Sequence, residues 1–308
     1  MTQTTATPTT LTCEECGAAL RLAPNRRTSA CPYCKCPSVV ERPATGACPA
    51  PALVLPFIAN ETAARAAVKA WTKRWRWFRR SLSTAVIEGI EGVYLPAYLY
   101  SAVTYTRYSA SIGENYQETE TYTVTVNGKS ETRTRTVTKT EHRSLSGEHV
   151  GYVADVLVTG SRGLPNAELQ HIEPFDMRLL RRYDPALVSG WTTEDATLAP
   201  TESVALARGE AVAEVGARLG NFMPGDSHSG LTYQTRIDRE TLDLALVAVW
   251  VLALRPDPAQ PATRVLVNGQ TLGVWGEEKL SAIKITLFVL TIVGIIVGLV
   301  LVARGGGR

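Results

Sequence analysis

An uncharged apolar run near the C-terminal end, residues 285–303, constrains this sequence more than any other feature. As a helix it would be ~28 Å long, close to the hydrocarbon thickness of a bilayer. A helix buried in a soluble core rarely runs this far without a polar face. We therefore predict a single C-terminal transmembrane helix over 285–303.

The sequence around this run predicts its orientation. Only residues 304–308 follow it, and the N-terminus has neither the basic start nor the apolar run of a secretory signal. We expect a tail-anchored, single-pass protein of the cell membrane whose N-terminal domain is cytoplasmic. Gly294 and Gly298 form a Gly-x3-Gly pair, which favours helix packing in the membrane and would make the chain a homo-oligomer.

All six cysteines precede residue 49, at positions 13, 16, 31, 34, 36 and 48. In a cytosolic chain, such clustering favours metal or redox chemistry over disulfides. Two C-x2-C pairs separated by fourteen residues can complete a tetrahedral four-thiolate site. The spacing predicts one structural Zn²⁺ on Cys13, Cys16, Cys31 and Cys34, although Cys36 leaves the choice of the fourth ligand open.

Two other interpretations of the cysteine segment remain open. The Cys31-Pro-Tyr-Cys34 tetrapeptide also suits a thiol oxidoreductase, which needs a strand before the motif and a helix after it. Zinc modules can also bind nucleic acid, but this one has few basic residues, so nucleic acid is an unfavoured partner.

Composition divides the chain further. We predict a disordered tail over 1–12, a zinc ribbon over 13–37, a linker rich in Pro and Ala over 38–58, and a cytosolic α+β domain over 59–278. The fold class is therefore α+β, with a small zinc ribbon and a central mixed helix and antiparallel-sheet domain.

A helix is predicted from Asn60 to about Arg80, with an apolar stripe opposite a basic face. It could lie on an anionic membrane surface or contact a partner, or its stripe could pack on the following sheet. The basic and tryptophan residues assigned to such a contact are Trp71, Lys73, Arg74, Trp75, Arg76, Trp77, Arg79 and Arg80.

Later segments predict the sheet. A hairpin that turns at Asn127-Gly128 is rich in Thr and poor in apolar residues, so we expect a protruding arm over 114–142 that is solvated on both faces. A separate strand over 149–159 should return to the body. Residues 244–254 are apolar without interruption and predict a fully buried strand, and Asn268-Gly269 predicts the turn of a closing hairpin.

The chain resembles a bacterial family of membrane-anchored proteins with a zinc ribbon of the transcription factor IIB type. The matching residues are the four predicted zinc ligands, Leu55-Pro56-Phe57, Trp71, Gly92-Val93-Tyr94-Leu95-Pro96, Glu173-Pro174-Phe175, Tyr183, Trp250 and Val267-Asn268-Gly269-Gln270-Thr271. Some members are labelled as primosomal helicase-like, but this chain lacks a Gly-x4-Gly-Lys-[Ser/Thr] phosphate loop. Others accompany phage-shock-type (ESCRT-III-like) and SPFH-type membrane proteins, so the resemblance implies an adaptor in membrane stress response.

The sequence favours a non-catalytic scaffold that binds protein partners at the bilayer. Its four histidines are scattered, and four thiolates would close the zinc rather than leave a catalytic position. We expect no enzymatic activity and no small-molecule substrate. The alternatives are a membrane-tethered nucleic-acid-binding regulator that uses the ribbon and the basic helix, and a thiol oxidoreductase that uses Cys31 and Cys34.

Overall fold

The structure is a computed structural model that describes residues 9–12, 19–22, 28–30, 37–39, 48–74, 85–126, 129–255 and 262–276. It is mixed helix and sheet with strand predominating, which confirms the α+β class. Four predicted features lie outside the described residues: the cysteine ligands, the segment 75–80, the hairpin turn Asn127-Gly128 and the span 285–303.

Two short hairpins come first. Strand β1 (Thr9–Thr12) pairs antiparallel with β2 (Ala19–Leu22), and β3 (Thr28–Ala30) pairs antiparallel with β4 (Pro37–Val39). β1 lies inside the segment predicted as a disordered tail, and β4 lies at the start of the predicted linker. Each of these short segments pairs with another strand, which satisfies backbone N–H and C=O groups.

Further helices and strands follow along the described part of the chain. They are β5 (Leu53–Leu55), α1 (Glu61–Arg74), β6 (Val86–Val126), β7 (Lys129–Thr159), α2 (Asn166–Ile172), β8 (Arg181–Arg182), α3 (Pro185–Val188), β9 (Thr192–Thr193), α4 (Pro200–Phe222), β10 (Ser227–Arg255), β11 (Thr263–Asn268) and β12 (Val274–Gly276). The predicted separate strand over 149–159 is instead the last part of β7, because β7 runs without a break.

The chain divides into two compact units. Unit 1 contains residues up to Ala97, Thr159–Ala199 and the residues from Leu244, and unit 2 contains Tyr98–Val158 and Pro200–Asp243. Strands β6, β7 and β10 each contribute residues to both units. Because the boundaries between the units fall inside continuous strands, no linker of distinctive composition marks them in the sequence.

Unit 1 is organised on the apolar part of β10. Its strand order is β12-β11-β10-β5-β8, with β5 parallel to β10. Residues 244–250 are buried without interruption, which confirms the predicted buried strand there, whereas Val251 and Ala253 are half-buried between the buried Leu252 and Leu254. Ala64 and Val68 of α1 pack on this sheet with Trp250 and Val265.

The turn after β11 differs from the predicted two-residue turn. Residues 269–273 connect β11 to β12, and the buried Asn268 organises them through its side-chain oxygen, which accepts from Gln270 N at 2.8 Å and Thr271 N at 3.0 Å. Its side-chain nitrogen donates to Ile172 O and Pro174 O. Asn268 is thus a bridge to the end of α2, and these contacts lengthen the turn.

Unit 2 combines α4 with the distal parts of β6, β7 and β10. The hydroxyl of the fully buried Tyr100 donates to Glu240 Oε2 at 3.0 Å, and the guanidinium of Arg208 on α4 also binds the Glu240 carboxylate. Burial and the adjacent Glu240 raise the pKa of Tyr100 to about 12. Arg239, next to Glu240, has a φ of 48°, a left-handed conformation that favours glycine.

Candidate functional site

The two cysteine pairs fall between paired strands. Residues 13–18 connect β1 to β2, and residues 31–36 connect β3 to β4. Thr12 pairs with Ala19 and Ala30 pairs with Pro37, so each cysteine pair lies in the sequence between two strands that pair with each other. The predicted redox motif has a strand before it, as a thiol oxidoreductase requires, but the next described element after Cys34 is strand β4 and not a helix.

Helix α1 contains the first three residues of the set predicted to contact a membrane surface or a partner. Trp71 is half-buried and packs against the core cluster of unit 1, while Lys73 is exposed and Arg74 is the last helical residue described. The apolar stripe therefore packs on the sheet over Ala64, Val68 and Trp71. The rest of the set, from Trp75 onward, lies outside the described residues.

The arm over 114–142 consists of the distal parts of β6 and β7, which pair with each other. Its ion pairs join Glu114 to Arg143 and Glu120 to Arg135, so residue numbers rise along one strand as they fall along the other. The two strands are therefore antiparallel. The hydroxyl of Thr140 donates to Asn115 Oδ1 at 2.7 Å, which indicates a register in which these two residues face each other.

One face of the arm, here called the charged face, is neutralised by its own residues. Lys139 Nζ lies 2.8 Å from Glu118 Oε2 and 3.0 Å from Glu120 Oε1, and the guanidinium of Arg135 lies over the ring of Tyr122. Hydrogen bonds from Lys139 and Arg135 lower the pKa of Glu120. These pairs are solvent-exposed, so they fix strand pairing more than they stabilise the fold.

The opposite face of the arm, here called the threonine face, carries no charge among its central residues. Side chains alternate along a strand, so the register set by Asn115 and Thr140 places threonines opposite one another. The exposed members are Thr119, Thr121, Thr123, Thr132, Thr134, Thr136, Thr138 and Thr140. Their spacing is about 7 Å along each strand and about 5 Å between strands.

The alternation of threonines can be read from the sequence. The face that they form becomes apparent only when the pairing of the two strands is known. Alternating threonines occur on both sides of Asn127-Gly128, and the turn predicted there places the two sets opposite each other. The structure adds that the pairs Thr119/Thr136, Thr121/Thr134 and Thr123/Thr132 are consistent with the Asn115 register. The result is a regular array of hydroxyl and methyl groups on one surface.

The zinc and membrane predictions concern residues beyond those described. Across the described ranges, no group of three or more His, Cys, Asp or Glu side chains could hold a metal ion. Among those same residues, no helix combines the length and the apolar character needed to cross a bilayer. The cysteine ligands and the span 285–303 therefore stay predictions.

No family model, curated protein or solved structure matches this chain. The candidate sites consequently depend on the chain's own residues.

Proposed function

We propose that this protein is a membrane-anchored zinc-ribbon scaffold that recruits protein partners through the arm over 114–142. The observation that carries the proposal is the threonine face, a regular uncharged surface of exposed threonines held out on paired strands. Burial in a core cannot account for this segment, because most of its described side chains are exposed and none over 114–124 or 130–142 is fully buried. A partner can cover the threonine face without desolvating an ion pair, since the charges lie on the other face.

The hairpins around the cysteine pairs support the zinc component. Two C-x2-C pairs, each between antiparallel strands, match the way in which a ribbon presents four thiolates from two turns. A strand after Cys34 favours this interpretation over a thiol oxidoreductase. The zinc would stabilise a module that is too small to build its own core.

Metal analysis of the purified full chain tests the zinc component. We expect about one zinc per chain, and Cys31→Ser should remove it. Cys48→Ser is the matched control, because the Cys48 thiol donates to the Leu198 carbonyl at 3.4 Å and is not in either pair. A metal-free wild type with a reducible disulfide would contradict the zinc assignment.

Alkaline carbonate extraction of native membranes tests the anchor. The full chain should stay with the membrane pellet, as a protein held by a hydrophobic span does. Release into the supernatant would contradict anchoring.

Affinity purification from native membranes, compared between two arm variants, tests partner recruitment. Thr121→Arg with Thr134→Arg places two bulky cations on the central pair of the threonine face. Glu131→Gln with Arg133→Gln removes an exposed ion pair from the charged face and is the control. We expect a defined set of proteins to be retained by the wild type and the control and lost with the double arginine variant. Equal recovery with both variants would refute a partner site on the threonine face.

A further inference from the structure

A groove lies between α1 and the first residues of β6, within unit 1. Its volume is about 300 Å³. Val68, Ile87 and Leu254 supply apolar walls, and the basic side chains of Arg65 and Lys69 also line it. The groove thus combines an apolar surface with positive charge.

The positive charge follows one side of α1. Arg65, Lys69 and Lys73 recur every four residues, which places them along one helix face. The Arg65 side chain donates to Glu61 at 2.7 Å. Lys69 and Lys73 are exposed and make no ion pair with any residue that the structure describes, so their ammonium groups are available to an anion.

Chain connectivity places this groove near the predicted membrane span. Gly276, the last residue described, lies against α1, because a Cβ on it would be 3.1 Å from Trp71 Cη2. Residues 277–284 then lead to Ile285. Even fully extended they reach only about 30 Å, so the α1 side of unit 1 lies close to the bilayer surface if 285–303 spans it.

We propose that this groove binds the anionic headgroup of a bilayer phospholipid, with its phosphate at Lys69 and Arg65. The proposal rests on the membrane anchoring proposed above. The positive charge of the groove favours an anionic ligand. Because the connection from Gly276 to Ile285 is short, the bilayer would supply such a headgroup close to the groove. Val86, 66% exposed beside the groove, would face the apolar part of the lipid.

Lipid retention by the full chain tests this site. Native mass spectrometry in a mild detergent, with added phosphatidylglycerol or phosphatidylcholine, counts the lipids that remain bound. We expect preferential retention of phosphatidylglycerol, and about fivefold weaker retention with Lys69→Gln, since one basic residue near an anionic surface contributes about 1 kcal/mol. The control is Arg182→Gln, an exposed cation on β8, and it should behave as the wild type.

The outcomes separate this inference from the anchor itself. Equal retention of the two lipids, or equal phosphatidylglycerol retention by Lys69→Gln and the wild type, would overturn the headgroup site while carbonate extraction could still support the anchor. Displacement of the lipid by inorganic phosphate at equal concentration would identify a free-phosphate site and overturn the lipid assignment. We expect phosphatidylglycerol to stay bound to the wild type in the presence of equimolar phosphate. We also expect Lys69→Gln, and not the control, to weaken its retention.

Discussion

Replacement of Asn268 should unfold unit 1 at markedly lower denaturant. Asn268 is fully buried, and its side chain makes four hydrogen bonds of 2.8 to 3.1 Å, two as donor and two as acceptor. Asn268→Ala removes all four and leaves the carbonyls of Ile172 and Pro174 without these donors. At about 1 kcal/mol for each bond, the free energy of unfolding should fall by about 4 kcal/mol.

Tryptophan fluorescence during urea unfolding of the detergent-solubilised full chain measures this loss in unit 1. No tryptophan occurs in residues 98–158 or 200–243, so the signal reports on unit 1 and not on unit 2. A loss of about 4 kcal/mol shifts the midpoint by about 2 M urea at a slope of about 2 kcal/mol/M. Gln170→Ala, at an exposed amide in unit 1, is the control.

Asn268→Asp distinguishes the two hydrogen bonds that the Asn268 side chain donates from the two that it accepts. It keeps the shape and the acceptor oxygen but places a carboxylate against two carbonyls, so burial raises the pKa of the new carboxyl above its unfolded value. A group with a raised folded pKa contributes stability at low pH and loses it as the pH rises through that pKa. The midpoint of Asn268→Asp should therefore recover relative to Asn268→Ala as the pH falls. Equal midpoints for Asn268→Ala and Gln170→Ala would refute the bridge.

Three further predictions concern local geometry. Arg239→Gly should stabilise unit 2 by about 1 kcal/mol, because glycine adopts the φ of 48° without a Cβ clash. Mass spectrometry should detect this as slower amide exchange in residues 200–243. Unchanged or faster exchange would contradict the prediction. The pKa of Tyr100 is about 12 in the folded state and about 10 in the unfolded state, so the free energy of unfolding should fall as the pH rises between these values. Tyr100→Phe should reduce that fall, as measured by urea unfolding followed by circular dichroism. An equal slope in both proteins would contradict a pKa of Tyr100 raised by burial and by Glu240. Gly269→Ala should destabilise unit 1 in the fluorescence assay, because its Cβ would lie 2.7 Å from the Ala248 carbonyl oxygen, and a wild-type midpoint would contradict that close approach.

The sequence by itself determined the features that depend on local pattern. The first part of the apolar run, residues 244–250, is a buried strand because no polar side chain interrupts it and burial on both faces removes the need for alternation. The alternating threonines specify strands on either side of Asn127-Gly128, because β-branched side chains favour extended backbone. The α+β class follows from the same local patterns.

Only the tertiary structure decided the features that depend on distant residues. The turn after Asn268 is longer than its dipeptide predicts because that side chain binds carbonyls almost a hundred residues away. Likewise, cross-strand register decides that the arm separates its charges from its threonines, since a slip of one residue would mix them. The groove beside Lys69 forms because α1 lies against β6 and Leu254, a contact that no local pattern encodes.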